Sequence, residues 1–263
     1  MQMQTPPVRG ALVSLTAFGA DEVRRHGQAW YTRLCHTAGA DGIEVRGELL
    51  GADAEGELDA LAALAAEAGL ARVYSSPRGM WDAAGQLDET AVREGLDRAV
   101  RLGAGWLKMS IGGFVPQAPT GLDVLRSLLA GSPVELVVEN DQSESAGTVP
   151  ALTAFFRATD AAGMTLGMVF DMGNWHWAGE CPLRAADVFA SRVRYVHCKG
   201  VFRRADRWVA VPLASSASPW RTVLRTLPAD APRAIEYPLT GADLAQVTGQ
   251  ALDALRRLER SAS

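Results

Sequence analysis

Asp88-Glu-Thr-Ala-Val-Arg-Glu-Gly-Leu-Asp-Arg-Ala-Val-Arg-Leu-Gly103, followed closely by Trp106-Leu-Lys-Met-Ser-Ile111, is one complete helix-then-strand unit. The first segment spaces its apolar residues at i, i+3 and i+4, carries acids early and arginine late, and stops at glycine. The second is a short, mostly apolar run, which predicts a buried strand. The same unit recurs in both directions along the chain. Strands are predicted at Gly10–Phe18, Gly42–Glu48, Ala71–Ser76, Trp106–Ile111, Val134–Asn140, Leu166–Asp171, Val193–His197 and Arg233–Glu236. Helices are predicted at Asp21–Ala38, Leu58–Gly69, Asp88–Gly103, Gly121–Ala130, Val149–Ala162, Leu183–Ser191, Pro219–Leu227 and Leu244–Leu258. Strict alternation implies a parallel sheet with its helices outside. At about 30 residues per unit, the natural architecture is a closed (β/α)8 barrel, a single α/β domain over residues 1–263. An open doubly wound sheet is the competitor, but no GxGxxG follows the first strand to support its dinucleotide-binding version.

The 263 residues are 48% hydrophobic and 21% charged, the profile of an ordinary globular protein. A net charge of −4 argues against a nucleic-acid partner. Met1–Gly10 shows no basic segment leading into an apolar one, so no export signal is expected. Apolar runs fall well short of the roughly 18 residues of a membrane span. Three cysteines, Cys35, Cys181 and Cys198, form no CxxC pair, which fits a reducing cytoplasm. Of 26 basic residues only Lys108 and Lys199 are lysine. Where arginine serves as the default cation, a surviving lysine marks either a place for a compact, titratable amine or plain chance.

In a barrel, chemistry gathers at the C-terminal ends of the strands. Read in order, those ends carry Glu44 and Arg46, Lys108, Glu139, Asp171, His197 and Glu236. The last four lie on four consecutive strands, 32, 26 and 39 residues apart. Three carboxylates and an imidazole converging there repel one another unless a cation sits between them. One alternative is that each acid pairs with a nearby arginine, but four candidate ligands at successive strand ends favour a metal. An oxygen-rich set with one histidine suits Mn²⁺ first, with Mg²⁺, Co²⁺ or Zn²⁺ admissible.

Val137-Val-Glu-Asn-Asp-Gln142, Val169-Phe-Asp-Met-Gly-Asn-Trp-His-Trp-Ala-Gly-Glu180, Tyr195-Val-His-Cys-Lys199 and Ala234-Ile-Glu236 resemble the xylose isomerase-like TIM-barrel superfamily, in particular its sugar (phosphate) isomerase/epimerase branch. The resemblance runs from Gly42-Ile-Glu-Val-Arg46 to the last strand. It implies that Glu139 and Glu236 bind the metal and act as acid and base, with Asp171 and His197 as the remaining ligands. An ion holding a carbonyl and a neighbouring hydroxyl oxygen stabilises the enediolate left by C–H deprotonation. A carboxylate on each face can remove the proton from one side and return it on the other. Some epimerases of this branch carry Asp-x-x-His after strand six; here Asn174 stands at that position and the nearest imidazole is His176.

Further substrate contacts are expected from Lys108, Lys199, Asn174, His176 and Trp175, and from Glu44 and Arg46. Each has a plainer reading. Lys199 could pair with Glu236 or Asp171, and Glu44 with Arg46. Trp175 and Trp177 could pack their loop or a dimer contact, and Trp81 is a second lid candidate. Arg203, Arg204 and Arg207 could grip a phosphate or stand in solvent. Cys198 has the opposite parity to His197 and should face the helices.

The leading function is a metal-dependent isomerase or epimerase of a small sugar, sugar acid or sugar phosphate. Its rival is a dehydratase of the inosose or dehydroshikimate type, which begins with the same proton abstraction and then expels hydroxide. A three-zinc endonuclease needs more histidines than the four present. A sugar-binding barrel without turnover would not need both glutamates. A homodimer or homotetramer is compatible with Trp-bearing loops.

Overall fold

The computed structural model describes residues 7–260. Residues 1–6, part of the stretch read above for an export signal, and 261–263 lie outside the described residues. Eight parallel strands close the barrel: β1 (Ala11–Ser14), β2 (Gly42–Arg46), β3 (Ala71–Ser75), β4 (Trp106–Ser110), β5 (Glu135–Glu139), β6 (Gly167–Asp171), β7 (Val193–Cys198) and, after the two-stranded insertion β8 (Gly200–Arg204) and β9 (Arg207–Val211), β10 (Arg233–Ile235). β10 pairs with both β1 and β7, which completes the ring. Each predicted barrel strand is present, trimmed at its ends except β7, which runs one residue further, to Cys198.

Around the ring lie α1 (Ala20–His26), α2 (Gln28–Thr37), α3 (Ala54–Glu67), α4 (Glu89–Leu102), α5 (Leu122–Leu129), α6 (Glu144–Gly147), α7 (Val149–Ala161), α8 (Asn174–Trp177), α9 (Pro182–Phe189), α10 (Trp220–Thr226) and α11 (Leu244–Arg260). The helix of the opening stretch, α4, starts where Asp88 accepts a hydrogen bond from the Ala91 N–H and ends at Gly103 with φ +65°. The helix expected over Asp21–Ala38 is two helices. Gly27, at φ +79°, ends α1 and opens α2, a conformation side-chain-bearing residues rarely adopt. The stretch carrying Arg203, Arg204 and Arg207, for which the sequence predicts no strand, forms the antiparallel β8–β9 hairpin.

The strands' period of two builds the site. Leu12, Val73, Val137, Val169, Tyr195 and Ala234 point inward and fill the barrel as one apolar layer. Two residues further along the same six strands stand Ser14, Ser75, Glu139, Asp171, His197 and Glu236. The polar ring is therefore the next inward layer, resting on a dry floor. Outward residues such as Val13, Ile43 and Cys198 join the larger core beneath the helices, so the parity argument for Cys198 holds. No helix among the described residues is long and apolar enough to cross a membrane.

Trp81 lies in this outer core and is no lid. Its ring meets Phe114 and Phe155 edge-on at 5.0 and 5.7 Å, and its Nε1 donates to the Thr120 carbonyl. Phe155 is fully buried between Trp81, Phe114 and Phe156. Phe155→Ala should cost about 3–5 kcal/mol. Urea unfolding should show a lowered midpoint at an unchanged denaturant slope.

Candidate metal centre and active site

Glu139, Asp171, His197 and Glu236 each offer one ligand atom, and these four atoms lie within 4.8 Å of one another. They come from the ends of β5, β6 and β7 and the residue after β10, so the register of four adjacent strands sets their spacing.

Each ligand is held from behind. Asp171 Oδ1 accepts from the backbone N–H groups of Gly173 and Asn174 at 2.8 and 2.9 Å, which leaves Oδ2 for the centre. Asn140 locks β5 to β6: its amide donates to the Asp171 carbonyl and accepts from the Asp171 N–H. Asn174 donates to the Asn140 carbonyl, and Gln142 donates to the Asn174 side-chain oxygen. Glu139 keeps Oε2 on Lys108 Nζ at 2.7 Å and turns Oε1 to His197. Glu236 keeps Oε1 on Arg46 at 3.0 Å and turns Oε2 to His197 and Lys199. Each glutamate is thus anchored by one oxygen and presented by the other.

His197 is fully buried, with Nε2 2.7 Å from Glu44 Oε2. An ionised carboxylate only accepts, so Nε2 carries a hydrogen and donates. Nδ1 then faces Glu139 Oε1 at 2.9 Å, Glu236 Oε2 at 3.0 Å and Asp171 Oδ2 at 3.8 Å. Three carboxylate oxygens around one nitrogen require positive charge there, either a proton or a metal ion. A carboxylate behind a histidine ligand is the usual way its other nitrogen is aimed at a metal. The donor set therefore fits a divalent cation.

The charges agree with this geometry. Burial alone lowers the affinity of His197 for a proton, yet Glu236 and Glu44 drive its pKa well above the ordinary value. Burial pushes Glu44, Glu139 and Glu236 up, but His197 and the neighbouring lysines hold all three below the usual carboxylate range. Asp171 goes the other way: its burial outweighs Lys199 and raises it. Burial disfavours the Lys199 ammonium, and Asp171 and Glu236 more than restore it.

The structure brings every sequence-named site residue to this end of the barrel, at different depths. Glu44 and Lys108 are sealed within the barrel, paired with each other at 3.2 Å. Arg46 bridges Glu44, Glu48 and Glu236. Lys199 Nζ reaches Asp171 Oδ2 at 2.7 Å, Glu236 Oε2 at 2.8 Å and Asn174 Oδ1 at 3.2 Å. Gly173 makes room for it, since a Cβ there would meet Lys199 Cδ at 2.8 Å. Trp175 requires a correction: it is fully buried, stacked on Phe189 and packed against Phe170, so it braces α8 and meets no solute. His176 is half-buried, hydrogen-bonded to Ser218 at 3.0 Å and 4.8 Å from the Trp208 ring. Sequence reasoning passed over Asn140, whose signal was only its place beside Glu139. It also gave Trp208 no role.

A family model described as the xylose isomerase-like TIM barrel matches residues 32–258. The chain belongs to that family. Among curated proteins, none matches by sequence. Solved structures that resemble this barrel include a xylose isomerase-like TIM barrel/4-hydroxyphenylpyruvate dioxygenase fusion protein, at TM-score 0.73 and 15% identity. The match covers 97% of this chain and 43% of that one, so this barrel spans less than half of the fusion protein. A probable 3-DHS dehydratase of petrobactin synthesis from Bacillus anthracis aligns at TM-score 0.66 and 12% identity, over 94% of this chain and 98% of that one. A D-allulose 3-epimerase from Methylomonas sp., solved with D-allulose, aligns at 0.66 and 14%, over 98% and 99%. Identities this low support the shared fold alone.

Lys199 supplies the test of this electrostatic arrangement. Lys199→Met leaves Asp171 and Glu236 buried with one cation fewer, and removing one partner of a buried pair costs about 3–5 kcal/mol. Thermal melts should show the metal-free variant clearly less stable than the parent. Added Mn²⁺ should raise the variant's Tm by more than it raises the parent's, because the ion replaces the lost charge. Equal responses to Mn²⁺ would show that the cation does not enter between these carboxylates.

Proposed function

We propose that this chain is a divalent-metal-dependent isomerase or epimerase of a small sugar, sugar acid or sugar phosphate. The observation that carries this reading is the pair Glu139 and Glu236, each pinned through one oxygen to a basal cation and converging through the other on the same centre. Glu139, Asp171, His197 and Glu236 would hold the ion, with Mn²⁺ the expected metal. When bound, it would supply Lewis-acid charge to oxygens of the substrate.

The chain's own groups account for the proton chemistry. One glutamate takes a proton from the carbon beside the substrate carbonyl, and the other, after taking up a proton from solvent, delivers it to the opposite face or to the adjacent carbon, the first releasing its own proton to solvent. The first outcome is epimerisation and the second is aldose–ketose isomerisation. Lys199, already seated between Asp171 and Glu236, places an ammonium beside the negative charge that develops on the substrate oxygens. Glu44, Lys108 and Arg46 act from below as positioning residues. They fix the imidazole and both glutamates before substrate arrives, so little reorganisation is left for the reaction itself. Asn174, next to Lys199, offers a neutral donor and acceptor to a sugar hydroxyl. The allulose epimerase shares the barrel, so the fold is compatible with this reading.

The second reading is a dehydratase on the same groups. The equal likeness to the Bacillus anthracis dehydratase and the asparagine at position 174 favour keeping it in view. The two share their first step and differ in whether a proton returns or hydroxide leaves.

One experiment separates them. The Mn²⁺-loaded chain is incubated in D₂O with ketoses, their phosphates and dehydroshikimate, and followed by proton NMR. Deuterium entering at carbon without loss of water is the expected result; loss of water with a new conjugated chromophore identifies the dehydratase. Glu139→Gln and Glu236→Gln should each slow exchange by about 10²–10⁴-fold. Elemental analysis should find about one metal per chain, lost in His197→Ala. No retained metal would overturn the proposal, and two or three zinc ions would point to an endonuclease.

Glu44 offers a separate check on positioning. Glu44→Gln keeps the shape but removes the charge behind His197, and such changes typically weaken metal binding about 10–100-fold. Calorimetric titration with Mn²⁺ should show that loss, while Glu44→Asp should recover part of it.

A further inference from the structure

At the same end of the barrel as the carboxylate cluster, a cleft of about 570 Å³ opens between α8 and the β8–β9 hairpin. The hairpin is an insertion into the βα repeat, and it starts at Gly200, the residue after Lys199. On the other side, His176 and Trp177 follow Asn174 on α8. Both walls of the cleft are therefore covalent extensions of residues that hold Asp171.

The cleft has an aromatic lining and a mixed polar fringe. Trp177 and Trp208 are both only partly buried, and the Trp208 ring lies 4.8 Å from His176. His176 is tied to Ser218, which steadies that wall. Arg203 lies 5.4 Å over the Trp208 ring, and Arg207 and Asp206 stand at the hairpin tip. Among the described residues, none of Arg203, Asp206 and Arg207 makes a salt bridge. Glu180, the other acid of the lining, accepts from the Val149 N–H and so is partly committed. Two arginines facing two acids cancel, which disfavours an anion such as a phosphate. Two partly buried indoles together with two arginines and two acids match a neutral polyhydroxylated ring, with its C–H surface against the aromatics and its hydroxyls on the polar groups.

We propose that the cleft between α8 and the β8–β9 hairpin is a subsite for a second, glycosidically linked sugar ring, so that the substrate is a glycoside and not a free monosaccharide. This deepens the isomerase or epimerase reading and rests on it. The reacting ring would lie over Glu139 and Glu236. The second ring would sit on Trp208, with Lys199 and Asn174 at the boundary between the two. The larger cleft between α3 and α4 carries no such inference, because Glu55, Asp59, Glu94, Arg98 and Arg101 fill it with their own ion pairs.

The test is a titration of the Mn²⁺-loaded chain, read by tryptophan fluorescence and calorimetry. The probes are D-glucose, its methyl glycosides, glucose 6-phosphate, maltose and cellobiose. A disaccharide should bind at least about tenfold more tightly than glucose and change the tryptophan emission. Trp208→Ala should bring disaccharide affinity down to that of glucose, and Arg207→Gln, at the exposed tip, should weaken it without touching the hairpin's packing. No preference for any disaccharide, or a preference that survives both substitutions, would overturn the subsite. So would glucose 6-phosphate binding more tightly than every disaccharide, since that identifies an anion site. Exchange of substrate C–H in D₂O on monosaccharides with no disaccharide preference would remove the subsite and leave the isomerase reading standing. Trp208-dependent disaccharide binding with no C–H exchange on any sugar would do the reverse.

Discussion

Four carboxylates, Glu44, Glu139, Asp171 and Glu236, meet inside one barrel mouth, and nearly everything else at this end of the molecule answers their mutual repulsion. Taking a charge out of water costs several kcal/mol, and gathering like charges adds to that cost. Glu48 also pairs with Arg46 from the rim; counting the four inward carboxylates alone, Arg46, Lys108 and Lys199 set three positive charges against four negative ones. One unit remains, and it falls at His197 Nδ1, where three of the carboxylates point. The site is built to hold a cation at that place. A proton there balances the cluster, and a divalent ion with a neutral imidazole leaves it one unit positive, a state suited to an anionic reaction intermediate.

The cations are not interchangeable in this arrangement. Lys108 and Arg46 lie below, on the oxygens of Glu139 and Glu236 that face away from the centre. Lys199 lies at the level of the centre itself, against the oxygens that face it. Two cations thus set direction, while the third shares the space in which chemistry would happen. The chain spends its only two lysines on these positions and uses arginine almost everywhere else. A compact ammonium fits where a planar guanidinium would not, inside a barrel layer and beside a glycine whose missing Cβ gives it room.

Much of this was legible in the sequence because two periodicities carry it. Alternation of apolar runs with helical patterns pointed to the closed barrel, and the order of polar residues at successive strand ends pointed to the four residues that the structure brings together. Glu139, Asp171, His197 and Glu236 all stand two residues beyond an apolar inward residue. The failures have physical causes as well. Gly27 splits the first helix because a single left-handed residue breaks an otherwise unbroken helical pattern. The β8–β9 hairpin was hidden because its arginine-rich strands look like a solvated charge run. Trp81 and Trp175 were read as surface platforms, yet both are core residues. Composition does not say which face of a short helix turns inward, and at α8 that face belongs to Trp175 and not to Trp177.

The same separation explains how one barrel can host more than one outcome. On the proposed function, the inward layer would take a proton from a carbon next to a carbonyl, with two anchored glutamates beside one cationic centre. What happens next depends on which substituents lie beside that carbon, and these are held by the loops. A hydroxyl positioned to leave would give elimination, while one held by Asn174 and Lys199 would stay and allow the proton to return. The segments that decide this begin one residue after Lys199 and three residues after Asp171. If α8 and the hairpin grip substrate, what they grip would be felt at Asp171 through the Asn174 N–H hydrogen bond on one side and the Lys199 ion pair on the other.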